Sequence, residues 1–315
     1  MLLSNGKTRR AILKTGESLA GDAAAIRASA CAARVCGATE RAYSVTLLDE
    51  DSALIEFLEG YERLRTLIES AHKINVLNPA MRPDDHDLVE SPVAASLQRH
   101  NDLCSKVPAY ALRSAIEQSS SSVQDFISKK QNFTESLSFM TMIIWILGLG
   151  DRHLQNIMLS QDGRLRCVDW GDVWRHGAAE LPARLTRNML AVCDTQVLES
   201  RLQTTLTALR GSNLLLEAAI KVSFKWMGDK FQPKFKYIQN ILRGTYLSYD
   251  VYREVMSEAD NLKHKEKHID LLDYVFRDVE RKDVYNVEEQ ISCLLLHSTS
   301  PELLSVTRSG WEPWI

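Results

Sequence analysis

The stretch from Gly148 to Gly171, GLGDRHLQNIMLSQDGRLRCVDWG, limits the possible folds more than any other part of the chain. Two short β-prone runs, IMLS and RLRCVDW, flank the turn QDG, so the segment reads as a hairpin. Polar groups crowd its borders. Asp151 and Asn156 are five residues apart, His153 lies between them, and Asp169 follows thirteen residues after Asn156. A carboxylate taken into apolar surroundings is costly unless it is paired or holds a metal. A fold that carries this hairpin must open it either to solvent or to a cation.

The rest of the chain sets the frame. With 315 residues it can bury a substantial core and suggests about two domains. A net charge of −3 gives no electrostatic reason to expect nucleic acid on its surface. The six cysteines form no CxxC pair and no cluster of zinc spacing. With no secretory signal they read as reduced thiols of a cytosolic or nuclear protein, and NFT at 132–134 as a chance glycosylation match. The longest apolar run, FMTMIIWILGLG at 139–150, suits a buried helix and is too short for membrane insertion.

Along the chain, a short strand at 9–14 leads into an Ala-rich helix from about Asp22. AYSVTLL (42–48) and SALIEFL (52–58) read as paired strands split by DED, and the chain from YERLRTLIES onward as mostly helical. NPAMRPDDHD (78–87) reads as a surface loop, and 123–150 as two helices ending at the glycines of GLGD. Helical segments are expected at about 185–226, 232–257 and 287–297, and NLKHKEKH (261–268) as a solvated helix face or loop.

Protein kinases use a catalytic-loop Asp, an Asn five residues later and a metal-binding Asp before Gly. Asp151, Asn156 and Asp169 stand in that order. In this reading Asn156 and Asp169 offer oxygen ligands to Mg²⁺ (or Mn²⁺), Asp151 takes or orients the proton of an attacking hydroxyl, and His153 acts beside it. The usual order His-Arg-Asp is reversed here to Asp-Arg-His. On GLGDRHLQN the chain resembles the phosphatidylinositol 3-kinase-related protein kinases and their lipid-kinase cousins.

Other segments resemble the same family. ILKTGESLAGD (12–22) is similar to its LKGGEDLRQD, which implies that Lys14 binds phosphate, Glu17 is its carboxylate partner and Asp22 is the acidic residue opening the first helix. YSVTLLDEDSALIEFLEG resembles the strands entering the hinge. This implies Tyr43 at the back of an adenine pocket, Phe57 where the family has Trp, the backbone of Glu56 and Leu58 at the adenine edge, and Met158 and Val168 as the floor. Each of these apolar residues would serve equally well as ordinary core. LPARLTRNML (181–190) resembles the end of the family's activation loop. YNVEEQISCLLLHSTSPELLSVTRSGWEPWI (285–315) resembles its C-terminal FATC tail, with Asn286 capping a helix whose apolar face is Val287, Ile291, Leu294 and Leu295. GWEPWI leans to the DNA-dependent branch.

The resemblance implies an α+β, two-lobed protein-kinase-like fold of the PI3/PI4-kinase type, with a truncated β-containing N-lobe and a mainly helical C-lobe. It divides the chain into a partial N-lobe and hinge (1–60), a C-lobe (61–284) and a FATC-like tail (285–315). The implied activity is ATP-dependent phosphorylation of Ser or Thr in protein substrates, in a nuclear DNA double-strand break response. DNA ends and partners such as Ku would be met through regions outside this sequence. The first N-lobe strands and phosphate-covering loop are not recognised, LAGD replaces LRQD, Asp-Trp-Gly replaces Asp-Phe-Gly, and the loop 169–182 is short. Those departures keep other readings open: an impaired scaffold or interaction module, another branch such as TOR-like growth signalling, and lipid phosphorylation.

Overall fold

The computed structural model describes residues 10–39, 43–72, 93–171, 173, 181–258, 265–307 and 311–315. The loop expected at 78–87 lies outside them, as do 174–180 in the segment after Gly171 and the first part of NLKHKEKH.

Two small antiparallel sheets frame the site. The first has the order β1 (Ala11–Thr15), β3 (Ser52–Glu56), β2 (Val45–Leu47), so β3 is central. Its register sets Lys14 opposite Ala53 and Ile12 opposite Ile55. Alternation puts Ile12, Lys14, Ala53 and Ile55 on one face. Helix α1 (Ala20–Cys36) follows β1 and ends at Gly37, whose φ of 62° lets the chain turn through the left-handed region.

The second sheet corrects the expectation that the chain turns helical at YERLR. Tyr61–Arg63 form a strand, β4, that pairs with β5 (Ile157–Ser160), which pairs with β6 (Leu165–Cys167). Tyr61 and Arg63 alternate around Glu62 as an edge strand needs, and the Arg166 guanidinium lies 4.8 Å over the Tyr61 ring. Helix α2 (Leu64–His72) begins directly after β4.

Helices α3 (Val93–Lys106) and α4 (Ala111–Gln118) lead to α5, one helix of 25 residues over Val123–Leu147 rather than the two expected. No Pro or Gly interrupts it. Ser122 caps its start by accepting the Asp125 N–H, and Gly148 ends it in the left-handed conformation. From Phe133 to Leu147 nearly every side chain is buried, because α1, α7 and the β5–β6 hairpin surround it. The hairpin lies tight against it: a Cβ at Gly163 would come 2.5 Å from the Lys129 carbonyl oxygen.

The remaining helices are α6 (Arg187–Val192), α7 (Thr195–Gly211), α8 (Asn213–Ser223), α9 (Phe231–Arg243) after a 3₁₀ turn, α10 (Ser248–Glu258), α11 (Lys265–Val275), α12 (Val287–Thr299) and α13 (Pro301–Ser305). One apolar core centres on α5. A second, smaller one joins Leu247, Tyr249, Leu272 and Phe276 to Cys293 of α12. Asn286 caps α12 in a reciprocal box with Glu289, and Ile291 and Leu294 are fully buried with Val287 and Leu295 beside them. No helix among the described residues is long and apolar enough to cross a membrane.

The chain's last five residues are all buried. The Arg184 guanidinium donates to the carbonyls of Trp311, Glu312 (3.2 Å) and Ile315 (3.5 Å). Arg187 donates to Trp314 (3.0 Å) and to the Cys104 and Val107 carbonyls at the end of α3. Arg65 of α2 pairs with the buried Glu312 carboxylate at 3.7 Å. Both arginines of the RLTRN motif are thus committed to backbone.

Candidate active site

The chain leaves α5 at Gly148 and runs through Asp151, Arg152 and His153 into β5, while β6 runs out into Val168, Asp169 and Trp170. The Val168 N–H donates to the Asn156 carbonyl at 2.9 Å, so the two ends of the hairpin stay paired beyond the strands. Asp151 and Asp169 both have positive φ, 55° and 58°. Asp tolerates the left-handed region better than most side chains, and such conformations concentrate at functional sites.

The structure brings the expected loop residues together. The Asn156 amide donates to the Asp151 carbonyl (3.0 Å) and to its carboxylate (3.2 Å). Among the described residues none donates a hydrogen bond to Asn156 Oδ1. His153 Nε2 lies 3.7 Å from Asp151 Oδ1. Burial holds the imidazole below its ordinary pKa; Asp151 pulls it up, while Arg152 and Arg184 push it down. It is therefore neutral at pH 7 and able to accept a proton.

From the first sheet, Lys14 Nζ reaches Asp169 Oδ1 at 3.4 Å and Glu17 Oε1 at 2.6 Å. Burial would lower its pKa, but the two carboxylates outweigh that and hold the ammonium above its ordinary value. Residues 155 positions apart in sequence thus meet at one cleft.

Asp22 and Tyr43 lie behind that cleft. Asp22 is 4% exposed, and its Oδ1 accepts the Trp170 N–H at 2.8 Å. Burial raises its pKa against the pull of that bond. Tyr43 is 3% exposed, and burial, with Asp22 nearby, drives its phenol far above the usual range. Its ring helps line a small cavity of about 30 Å³ with Phe139, Ile143, Leu165, Cys167 and Trp170. The Trp170 indole N–H donates to the Cys167 carbonyl at 2.8 Å, a bond that Phe has no atom to make.

At the expected hinge, the Glu56 N–H is committed to the Ser44 carbonyl (2.9 Å), and its carboxylate accepts the Ser44 N–H. Phe57 is 38% exposed, with the Arg10 guanidinium 4.3 Å over its ring and tied to Glu59. Leu58, Met158 and Val168 are half-buried. The structure places Met158 and Val168 along the hairpin and Leu58 just past the end of β3.

Sequence reasoning passed over Arg152. It is 1% exposed, and its guanidinium donates to the carbonyls of Gly150, Val168 (2.9 Å) and Asp169. The available signal was a guanidinium between two functional residues in a loop with no acidic partner assigned to it. A buried Arg needs several acceptors.

Among the described residues no three His, Cys, Asp or Glu side chains converge to hold a metal by themselves. Mg²⁺ in nucleotide sites takes one or two carboxylates, with phosphate oxygens and water completing its shell. Asn156 and Asp169 fit that smaller requirement.

Residues 31–225 match the family described as phosphatidylinositol 3- and 4-kinase. The DNA-dependent protein kinase catalytic subunit of Canis lupus familiaris is 29% identical over 255 residues, covering 67% of this chain and 6% of that protein. The target of rapamycin homolog of Caenorhabditis elegans is 24% identical over 306 residues, 88% of this chain and 11% of that protein. The chain therefore spans about a tenth or less of the length of these relatives. In fold it is similar to the FAT and kinase domain of CtTel1, with a TM-score of 0.72 at 19% identity over 99% of this chain and 22% of that one. The fold is thus α+β and kinase-like, and kinases take ATP with a divalent cation. The chain belongs to the phosphatidylinositol 3- and 4-kinase family, in its branch of phosphatidylinositol 3-kinase-related protein kinases.

Proposed function

We propose that the chain is the catalytic part of an ATP- and Mg²⁺-dependent kinase that phosphorylates Ser or Thr hydroxyls of proteins. The observation that carries this reading is the meeting of Lys14 with Asp169 at 3.4 Å, beside an Asn156 amide anchored on Asp151. A bound divalent cation neutralises phosphate charge. Lys14 holds the phosphates from the sheet side, exchanging its half-exposed carboxylate partners for phosphate oxygens. Asn156 Oδ1 and the Asp169 carboxylate hold the cation. Asp151 orients the substrate hydroxyl, and neutral His153 takes up its proton or stabilises charge on the transferring group. Glu17 keeps Lys14 aimed, and Phe57, Leu58, Met158 and Val168, with the Glu56 backbone, border the base.

In this reading residues 1–60 carry the small lobe and hinge, 61–284 the large lobe and 285–315 the FATC-like tail. Protein rather than lipid substrates are supported by the relatives, one of which is named serine/threonine-protein kinase TOR in Arabidopsis thaliana. A nuclear DNA-break role, with Ku and DNA ends as partners, is supported by the DNA-dependent relatives; TOR-like growth signalling is supported by the others.

The test is Mg²⁺-dependent ATP binding by the chain and by Asp169→Ala, followed by phosphate transfer to Ser/Thr peptides and to phosphoinositide vesicles. Saturable binding that weakens in the variant, with transfer to peptide, supports the reading. Folded protein that binds no ATP at millimolar concentration overturns it in favour of a scaffold.

A further inference from the structure

The structure assigns Asp22 and Arg152 to one device: a clamp on the single peptide unit joining Asp169 to Trp170, which makes both of them positioning residues for the Asp169 carboxylate. The Asp169 carbonyl accepts from the Arg152 guanidinium, and the Trp170 N–H on the same peptide donates to Asp22 Oδ1 at 2.8 Å. A cation sits at the negative end of that amide dipole and an anion at its positive end. Bonds to ionised partners are roughly twice as strong as neutral ones.

Three further observations fit the device. Asp169 is held at φ 58°, a conformation that needs surrounding restraint to persist in a non-Gly residue. A Cβ on Gly171 would lie 2.8 Å from Asp22 Oδ2, and one on Gly21 would lie 3.3 Å from the Gly171 carbonyl oxygen. The absence of side chains at 21 and 171 is what lets α1 approach this peptide. Arg152 also grips the Gly150 carbonyl, so one guanidinium ties the backbone before Asp151 to that of Asp169.

The clamp joins a residue of α1 to one of the catalytic loop through a peptide that touches neither phosphate nor metal. Rotation of that peptide would swing the Asp169 carboxylate away from Lys14. Asp22 thus acts through Asp169 and not on nucleotide directly. The functional consequence rests on the kinase reading above; the clamp itself does not.

Two readouts keep them apart. Amide hydrogen exchange of the Trp170 N–H, followed without any ligand, is expected to be slow in the parent chain. It should become at least about tenfold faster in Asp22→Ala and return towards the parent rate in Asp22→Asn, whose amide oxygen still accepts the bond. Mn²⁺-dependent binding of ATP should weaken about tenfold in Asp22→Ala and in Arg152→Met, and recover in Asp22→Asn, while metal-free ATP binding changes little. Unchanged exchange in Asp22→Ala overturns the clamp. Faster exchange with unchanged Mn²⁺-ATP affinity overturns the positioning role. A parent chain that shows the exchange pattern but binds no Mn²⁺-ATP sinks the kinase reading and leaves the clamp standing. A global loss of protection in Arg152→Met is read against Asp22→Asn, which conserves shape and removes only charge.

Discussion

The arginines under the C-terminal residues and the lysine at the cleft are cations in opposite circumstances. Arg184 is buried and spends its donors on carbonyls of Trp311, Glu312 and Ile315. Its pKa is pushed down to about 10 by burial, against the pull of Glu312. Lys14 is partly exposed and held by two carboxylates that are themselves half open to water. A buried cation with fixed acceptors belongs to the architecture, because withdrawing it leaves those acceptors unpaired. An exposed one in weak pairs can change partners at little cost. The molecule keeps its fixed charges under the catalytic loop and its exchangeable ones in front of it.

The contrast is broken most severely at Arg184. Arg184→Ala is expected to destabilise the fold by roughly 3–5 kcal/mol, as for other buried charges stripped of a partner, read as a fall in denaturant midpoint. A change below about 1 kcal/mol would place the C-terminal residues on the surface rather than in the core.

Next in size is a pH effect at His100, which lies beside Cys104 and near Arg187 under the same residues. Burial, aided by Arg187, lowers its pKa to about 4. A histidine with a depressed folded pKa stabilises fully above its unfolded value near 6.5. That contribution is lost as pH falls from there towards 4. Roughly 2–3 kcal/mol should disappear across this window, and His100→Gln should flatten the profile. Equal slopes in the two proteins would exclude the assignment.

Asn286→Ala should cost about 1 kcal/mol by removing one half of the capping box at the start of α12, measured as a shift in melting temperature. Smallest in stability is Glu17→Gln, expected within about 0.5 kcal/mol and weaker still in high salt. The comparison sharpens at Lys14→Met, which should barely move stability while abolishing metal-dependent ATP binding. Loss of both together would mean that the cleft is as structural as the seat of the tail.

Some of this was open to reading in the sequence and some was not. Asp151, Asn156 and Asp169 stand out because their types and spacing are set by one short hairpin, and local geometry survives whatever the fold does elsewhere. Asn286 and the face of α12 are legible for the same reason. β4 was not, since Tyr61–Arg63 is a strand only because β5, nearly a hundred residues later, offers it an edge. The unbroken α5 was misjudged because its middle, NFTESLSF, mixes polar and apolar residues; burial on several sides rather than amphipathic rhythm keeps it helical. Arg152 and Asp22 were hardest. Their meaning is a shared peptide, and no one-dimensional pattern marks it.

That peptide also has a consequence for time. Asp22 and Trp170 are 148 positions apart, and Lys14 and Asp169 are 155 apart. At ~5–20 residues per second of synthesis, the first of each pair waits on the order of ten seconds for its partner. Contacts of such separation carry a large loop-closure entropy and form late. In a growing chain the β5–β6 hairpin and α5 must therefore settle before α1 can dock. The cleft is among the last parts of the molecule to exist, and a nascent chain cannot hold nucleotide before its helical part has formed.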